Sequence, residues 1–136
     1  MMGKLGQRLN DASRSGVYRA SDAAPVVEAA RGARLDLARI DAGSTVFEAI
    51  AKALDFPDWF GGNWDALEDC LGDLSWRAGG GHVLVFDRFP RGDELGVLID
   101  VLRSTAQYWA GRSRPFFAVF IDARRELALP ELFREA

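Results

Sequence analysis

The sequence predicts a small α/β domain in which three parallel strands form one sheet flanked by helices. Residues 34–40 alternate apolar and polar side chains, which is typical of a strand with one buried face. Residues 83–87 and 116–121 form short, mostly apolar runs, as expected of strands buried on both faces. Amphipathic helical patterns separate these runs. Short strands that alternate with helices are typical of a parallel sheet, because each parallel connection crosses back over the sheet.

The polar N-terminal region is expected to be only partly ordered. Residues 1–24 are rich in Gly, Ser and Arg and carry a net positive charge, which predicts a loose leader with a short extended piece at 16–20. Residues 25–31 are expected to form a short helix, with Asp22 near its start and Gly32 at its end.

These patterns divide the chain into three parts. We expect an N-terminal extension over residues 1–32, the α/β domain over 33–122 and a C-terminal tail over 123–136. The tail is predicted to form a final helical turn or two around its apolar residues. Those residues are Leu127, Leu129, Leu132 and Phe133.

Two amphipathic patterns predict helices over 46–54 and 95–109. Ser44 or Thr45 is the expected N-cap of the first helix, because a hydroxyl can accept from the free N–H groups at a helix start. The Phe56-Pro57 pair ends that helix, since the residue before a proline is disfavoured in helical conformation.

The stretch from Asp55 to Leu74 concentrates the negative charge of the chain. It contains six carboxylates and no Lys or Arg, a charge of −6, whereas the other residues carry 14 acids and 17 bases, a charge of +3. With Asn63 as N-cap, a helix places apolar side chains on one arc and carboxylates on the other. The apolar arc is Trp64, Leu67, Cys70, Leu71 and Leu74, and the acidic arc is Asp65, Glu68, Asp69 and Asp73.

This acidic arc has two interpretations. Charged helix faces are usually ordinary solvated surfaces. Here, however, no Lys or Arg lies between the acidic residues of the helix, and each like-charge pair at i, i+4 costs roughly 0.2–0.5 kcal/mol. Aromatic residues also precede the helix directly. We therefore favour a surface that faces a partner.

Composition limits the classes of function. The 136 residues suit one domain, and a net charge of −3 argues against general nucleic-acid or anionic-membrane binding. No apolar run has membrane-spanning length. Cys70 is the only cysteine, so no internal disulfide is available, and a reducing cytoplasm is the expected compartment. On the apolar arc, Cys70 is expected to be a small buried hydrophobe.

The residues for common catalytic sites are absent from the sequence. His82 is the only histidine, so a zinc site or a histidine-based triad lacks its parts. Following three glycines at a strand entry, His82 is predicted to be a surface or loop residue whose replacement by alanine has no effect. Asp65 and Asp69 could in principle serve acid–base or metal chemistry, but we expect no catalytic residue, metal or cofactor.

A row of carboxylates on a rigid helix has a charge pattern similar to that of successive phosphates. A cationic cleft built for RNA would attract such a helix and bind it through charge-assisted hydrogen bonds. Trp59, Phe60 and Trp64 could supply the aromatic contacts that such a cleft offers to bases, although Phe60 is expected to pack in the core.

The segment FPDWFGGNWDALEDCL, residues 56–71, resembles the signature of the barstar family, intracellular inhibitors of secreted ribonucleases. The matching positions are Pro57, Gly61, Asn63, Asp65, Ala66, Leu67, Asp69 and Leu71. The resemblance spans about residues 35–121 and implies a barstar-like three-layer fold whose acidic helix plugs the ribonuclease active site. It also implies an aromatic contact at Trp59 and principal charged contacts at Asp65 and Asp69.

The chain departs from the founding family member at two contact positions. Glu68 stands where that member has a tryptophan. A contact glutamate on the long helix falls near Ser104, with Asp100 the nearest acid one turn earlier. The target is therefore expected to have a differently shaped cleft.

We predict a cytoplasmic, monomeric inhibitor or immunity protein that occludes a basic ribonuclease or nuclease toxin without direct contact to nucleic acid or membrane. The expected partner-binding residues are Trp59, Gly61, Asn63, Trp64, Asp65, Glu68, Asp69 and Asp73. Two alternatives remain. The fold could bind a basic partner that is not a nuclease, or the carboxylates could belong to a metal-dependent enzyme.

Overall fold

The structure is a computed structural model that describes residues 3–43 and 45–132. Its helices are α1 (Lys4–Leu9), α2 (Ala23–Gly32), α3 (Val46–Ala53), α4 (Trp64–Asp73) and α5 (Asp93–Gly111), with a short 3-10 turn at Ala12–Arg14. Its strands are β1 (Gly16–Ala20), β2 (Asp36–Asp41), β3 (His82–Arg88) and β4 (Phe116–Ile121).

The strands form one sheet in the order β1-β4-β3-β2, and every neighbouring pair is parallel. The α/β class and the parallel sheet are therefore as predicted. The strand count of three is wrong, because β1 pairs with β4 along its whole length, from Gly16 opposite Phe117 to Ala20 opposite Ile121.

Helices cover both faces of the sheet. On one face, α3, α4 and α5 pack over the inward residues of β2, β3 and β4, among them Ile40, Leu84 and Phe120. On the other face, α1 and α2 cover the alternate positions, including Val83 and Phe117. The continuous apolar runs of β3 and β4 follow from this arrangement, since both faces of these strands are buried.

The N-terminal region is not a loose leader. The extended piece at 16–20 is β1, and α1 and α2 form the second layer. Asp22 caps α2, its carboxylate accepting from the Ala24 N–H at 3.2 Å. At the next helix, Thr45 is the N-cap residue without a side-chain cap bond, and Ser44 lies outside the described residues.

The described part of the tail contains no helix. Residues 130–132 instead run beside β1, where the Arg19 N–H donates to the Pro130 carbonyl and the Leu132 N–H donates to the Arg19 carbonyl, both at 2.9 Å. Leu129 and Leu132 are buried by this contact, and Phe133 lies outside the described residues. Pro130 has no N–H to donate and disfavours a helix here.

Candidate functional site

Helix α4 begins at the predicted residue. Asn63 is extended (φ −134°, ψ 173°), and its side-chain oxygen accepts from the Ala66 N–H at 2.8 Å. Gly62 before it adopts φ +70°, a left-handed conformation that favours glycine. Leu67, Cys70 and Leu71 are buried, so the apolar arc faces the core as expected.

The acidic arc of α4 is exposed to solvent. Asp65, Glu68, Asp69 and Asp73 are all exposed, and none makes an ion pair with any residue in the described part of the chain. The last turn of α4 has no base, so Asp73 lies unfavourably near the negative end of the helix dipole. The folded chain therefore derives no ion-pair stabilisation from these four carboxylates through the described residues.

Helix α5 lies beside α4 and forms a groove with it. The Trp109 indole N–H donates to the Leu71 carbonyl at 2.8 Å, which fixes the two helices together. The groove has a volume of about 390 Å³. Its lining residues are Glu68, Asp69, Gly72 and Asp73 from α4, and Ser104, Thr105 and Tyr108 from α5.

The groove includes one residue that sequence reasoning missed. Tyr108 is 44% exposed and is one of few large hydrophobic side chains at the described surface. Tyr108 belongs to the groove only because α5 packs beside α4, and local sequence patterns do not predict which helices are neighbours. Ser104, where the family contact falls, lies in this groove, whereas Asp100 lines a different groove and lies 4.0 Å from Arg103.

The aromatic residues before α4 have different environments. Trp59 is 62% exposed. Phe60 packs edge-on against Phe56, with ring centroids 4.9 Å apart, and Trp64 packs edge-on against Phe47 at 4.7 Å. Phe60 and Trp64 are thus partly used in packing, whereas Trp59 offers most of its surface to solvent.

The arrangement is a rigid acidic helix with an adjoining groove and an exposed indole. The family described as Barstar (barnase inhibitor) matches residues 30–121. The chain belongs to the barstar family. Neither a curated protein nor a solved structure was found to match it.

The barstar match leaves part of the observed fold outside the family domain. It includes β2, β3, β4 and the helices between them. Helix α1, strand β1 and most of α2 precede it, and the tail after residue 121 follows it. In this chain the sheet therefore carries one strand beyond those of the matched region.

His82 is not the surface residue that the sequence predicted. It is 2% exposed, and its ring lies beside Trp109, with centroids 5.5 Å apart. Asp36, its register partner on β2, accepts from the ring Nδ1 at 3.0 Å. Because an ionised carboxylate can only accept, Nδ1 carries the hydrogen. The preceding glycines suggested a loop, but strand pairing buries the ring.

An arginine completes this buried polar cluster. The Arg77 guanidinium donates through Nε and Nη2 to both oxygens of Asp36, at 2.9 and 2.8 Å. Burial raises the pKa of Asp36, but the hydrogen bonds from Arg77 and His82 outweigh it and leave the pKa below its ordinary value. Burial lowers the pKa of His82, against the opposing effect of Asp36, with Arg77 and Arg114 adding to the decrease.

We next consider a reactive cysteine, a metal site and a membrane-spanning helix in the described residues. Burial raises the pKa of the Cys70 thiol, and the charges of Asp69 and Asp73 add to this, so the thiol is not activated. Within residues 3–43 and 45–132, no group of three or more His, Cys, Asp and Glu side chains could hold a metal ion. No helix of this part of the chain is long and apolar enough to cross a membrane.

Proposed function

We propose that this barstar-family protein binds a basic ribonuclease and blocks its RNA-binding cleft with the acidic face of α4, without catalytic turnover. The observation that carries the proposal is that four exposed carboxylates on one helix have no ion-pair partner among the described residues. Several acids elsewhere are paired, as Asp41 is with Arg88 and Asp87 with Arg39, whereas on α4 none is. Membership of a family described as barnase inhibitors supports a ribonuclease as the target class.

The physical basis is charge mimicry. A cleft that binds RNA presents Arg and Lys side chains to phosphates, and carboxylates one helical turn apart can accept from the same donors. The concentrated charge would steer the approach at long range. Trp59, which offers most of its ring to solvent, could occupy a surface on which the ribonuclease stacks a base.

The groove between α4 and α5 extends the site. It places Glu68, Asp69 and Asp73 opposite Tyr108, whose ring is already contacted by Arg112 of this chain, with Cζ 4.8 Å from the ring centroid. The three carboxylates of the groove are suited to an Arg or Lys side chain from the ribonuclease. Glu68 replaces the tryptophan of the founding family member. We therefore expect this target to present more positive charge at that position.

The other predicted contacts have narrower roles. Gly61 and Asn63 are exposed, but the Asn63 oxygen is used to cap α4. Trp64 is half-buried against Phe47, so its contribution is mainly to hold the start of α4 in place. In this proposal the inhibitor acts as a monomer in the cytoplasm, where it would protect the cell that makes the ribonuclease.

An inhibition assay with matched charge changes tests the proposal. RNA cleavage is measured with two ribonucleases. One is barnase, and the other is the ribonuclease activity that the immobilised protein captures from the growth medium of its source organism. Wild-type protein is compared with Asp65→Ala/Asp69→Ala and with the control Asp41→Ala/Asp87→Ala, which removes the same charge from paired acids on the sheet. We expect wild type and control to inhibit.

We expect the double variant on α4 to inhibit much more weakly. Each lost carboxylate should reduce binding by about 2–5 kcal/mol, mainly through faster dissociation, because a buried cation of the partner is left unpaired. Wild-type protein that lowers neither ribonuclease activity would contradict the target class. Equal inhibition by both double variants would show that α4 is not the blocking element and would favour a different binding surface.

A further inference from the structure

The eight predicted contact residues lie in one segment, residues 54–77, between α3 and β3. Two hydrogen bonds join its ends. The Trp76 indole N–H donates to the Leu54 carbonyl at 2.8 Å, and Arg77 Nη1 donates to Asp55 Oδ2 at 2.9 Å. The last two residues of the segment thus bind its first two residues. We call this pair of bonds the base clamp.

The base clamp is fixed to the sheet. Arg77 is largely buried, and its Nε and Nη2 groups are already held by Asp36 at the start of β2. Asp36 is held in turn by His82 at the start of β3. A bidentate guanidinium–carboxylate pair is geometrically specific, so the remaining Nη1 group points to Asp55 from a rigid position.

The backbone at the start of the segment is held by α3, whose Lys52 and Ala51 carbonyls accept from the Asp55 and Phe56 N–H groups at 3.4 and 2.9 Å, and the base clamp adds a side-chain restraint. Asp55 adopts φ +53°, a left-handed conformation that is uncommon outside glycine, and its side chain is 78% exposed. Burial therefore does not hold it in place. Above it, Trp76 packs edge-on against Phe56, with ring centroids 5.9 Å apart, and Phe56 packs against Phe60. Edge-on aromatic contacts thus connect Trp76, through Phe56, to Phe60, the residue that follows Trp59.

We infer that Trp76 and Arg77 are positioning residues, which hold the Trp59 loop (residues 55–62) and the start of α4 in the orientation that a partner binds. The inference rests on the proposed function. Its physical reason is that apparent affinity falls by the fraction of molecules in the binding-competent conformation. A loop joined at its base spends less of its time in other conformations.

Contacts outside the base clamp hold the body of α4. Helix α4 is independently held by its buried residues Leu67 and Leu71 and by the Trp109 bond to the Leu71 carbonyl. Loss of the clamp should therefore loosen residues 55–62 while the sheet and the body of α4 remain in place.

Two mild variants open the base clamp. Trp76→Phe removes the indole N–H, keeps an aromatic ring and changes no charge. Asp55→Asn replaces the charged acceptor of Arg77 Nη1 by a neutral amide, which weakens this hydrogen bond, and asparagine tolerates the left-handed backbone well. The control is Asp41→Asn, which removes the acid from another exposed pair, Arg88 Nε to Asp41 Oδ1 at 2.6 Å. Both Asp41 and Asp55 lose the same charge.

The measurements are amide hydrogen exchange and binding kinetics with the ribonuclease that wild-type protein inhibits. In both clamp variants we expect exchange of the Phe56 and Phe60 amides, which donate to the Ala51 and Pro57 carbonyls at 2.9 and 3.0 Å, to accelerate about tenfold or more while β3 and β4 keep their protection. We expect affinity to fall about tenfold. In Trp76→Phe the salt dependence of the association rate should equal that of wild type, because no charge has changed. Asp41→Asn should change neither exchange in this segment nor affinity.

Three results would overturn the inference. Unchanged exchange of the Phe56 and Phe60 amides would mean that the clamp does not restrain the loop. Reduced affinity without faster exchange would indicate direct contact with the ribonuclease instead. Faster exchange throughout the sheet with unchanged affinity would indicate a structural role only. If wild-type protein inhibits no ribonuclease, the proposed function fails, whereas the exchange data still test the restraint.

Discussion

Replacing Asp69 by asparagine should make the free protein slightly more stable and its complex much weaker. Asp69 lies between Asp65 and Asp73 at i, i+4 spacing, and all three side chains are exposed without an ion-pair partner among the described residues. Asparagine has nearly the same shape and a similar helix propensity. The substitution therefore changes mainly the charge, and removes both repulsions at once.

The size of the effect follows from this geometry. Two like-charge helix pairs cost roughly 0.2–0.5 kcal/mol each at low salt, so the free energy of unfolding should rise by about 0.5 kcal/mol. For a domain of this size, that corresponds to an increase in Tm of about 2 °C. The gain should shrink in high salt, because exposed charges are then screened. Binding to the ribonuclease should weaken by about 2 kcal/mol or more.

Thermal and urea denaturation at two salt concentrations, together with binding kinetics, measure both effects. Asp41→Asn is the control, because Asp41 is paired with Arg88 and its loss should give no gain in stability. A loss of more than about 1 kcal/mol in Asp69→Asn would refute the reasoning, since it would mean that Asp69 supports the fold. An unchanged affinity would remove Asp69 from the site.

Two further predictions concern the exposed indole and the buried histidine. Trp59→Ser should change the free energy of unfolding by no more than about 0.5 kcal/mol, because the ring is mostly exposed, but should weaken the complex by about 2 kcal/mol, as measured by calorimetry. His82 titrates below its ordinary pKa when folded, so the unfolded chain binds more protons and stability rises with pH up to about 6.5. Since His82 is the only histidine, His82→Asn should abolish most of the rise between about pH 5 and 7 in urea titrations; an unchanged slope would contradict this assignment.

Periodicity predicted the parts of the fold that local sequence determines. The strands at 34–40, 83–87 and 116–121 and the three central helices were found within a few residues of their predicted bounds. Strand β1 was predicted only as an extended piece, because its five residues mix apolar and polar types. Its place in the sheet depends on pairing with β4, about a hundred residues later.

A signal for the N-terminal layer was nevertheless present. Residues on both faces of β3 and β4 are apolar, which requires cover on both sides of the sheet. The three central helices all pack on one side. The second side could then be covered only by helices from outside the central region, and α1 and α2 supply that cover. A loose leader was therefore inconsistent with the strands predicted from the same sequence.

The candidate site was predictable where one helix contains it. The cap at Asn63, the exposed acidic arc and the buried Cys70 all follow from a single 3.6-residue period. Tyr108 and the contacts of His82 were missed because they depend on which elements are neighbours. The Asp36–His82 hydrogen bond joins residues 46 positions apart, through a strand register that composition does not reveal.

The carboxylates of this chain differ in how they affect the stability of its fold. Asp36 is enclosed by Arg77 and His82, and Asp122 is buried and accepts from two backbone N–H groups at 3.0 and 2.8 Å. Removing either carboxylate leaves buried donors unpaired, which costs about 1–3 kcal/mol or more. The acids on α4 have no such donors among the described residues, and their mutual repulsion opposes folding. If these acids bind a ribonuclease as proposed, stability and affinity should move in opposite directions when they are neutralised.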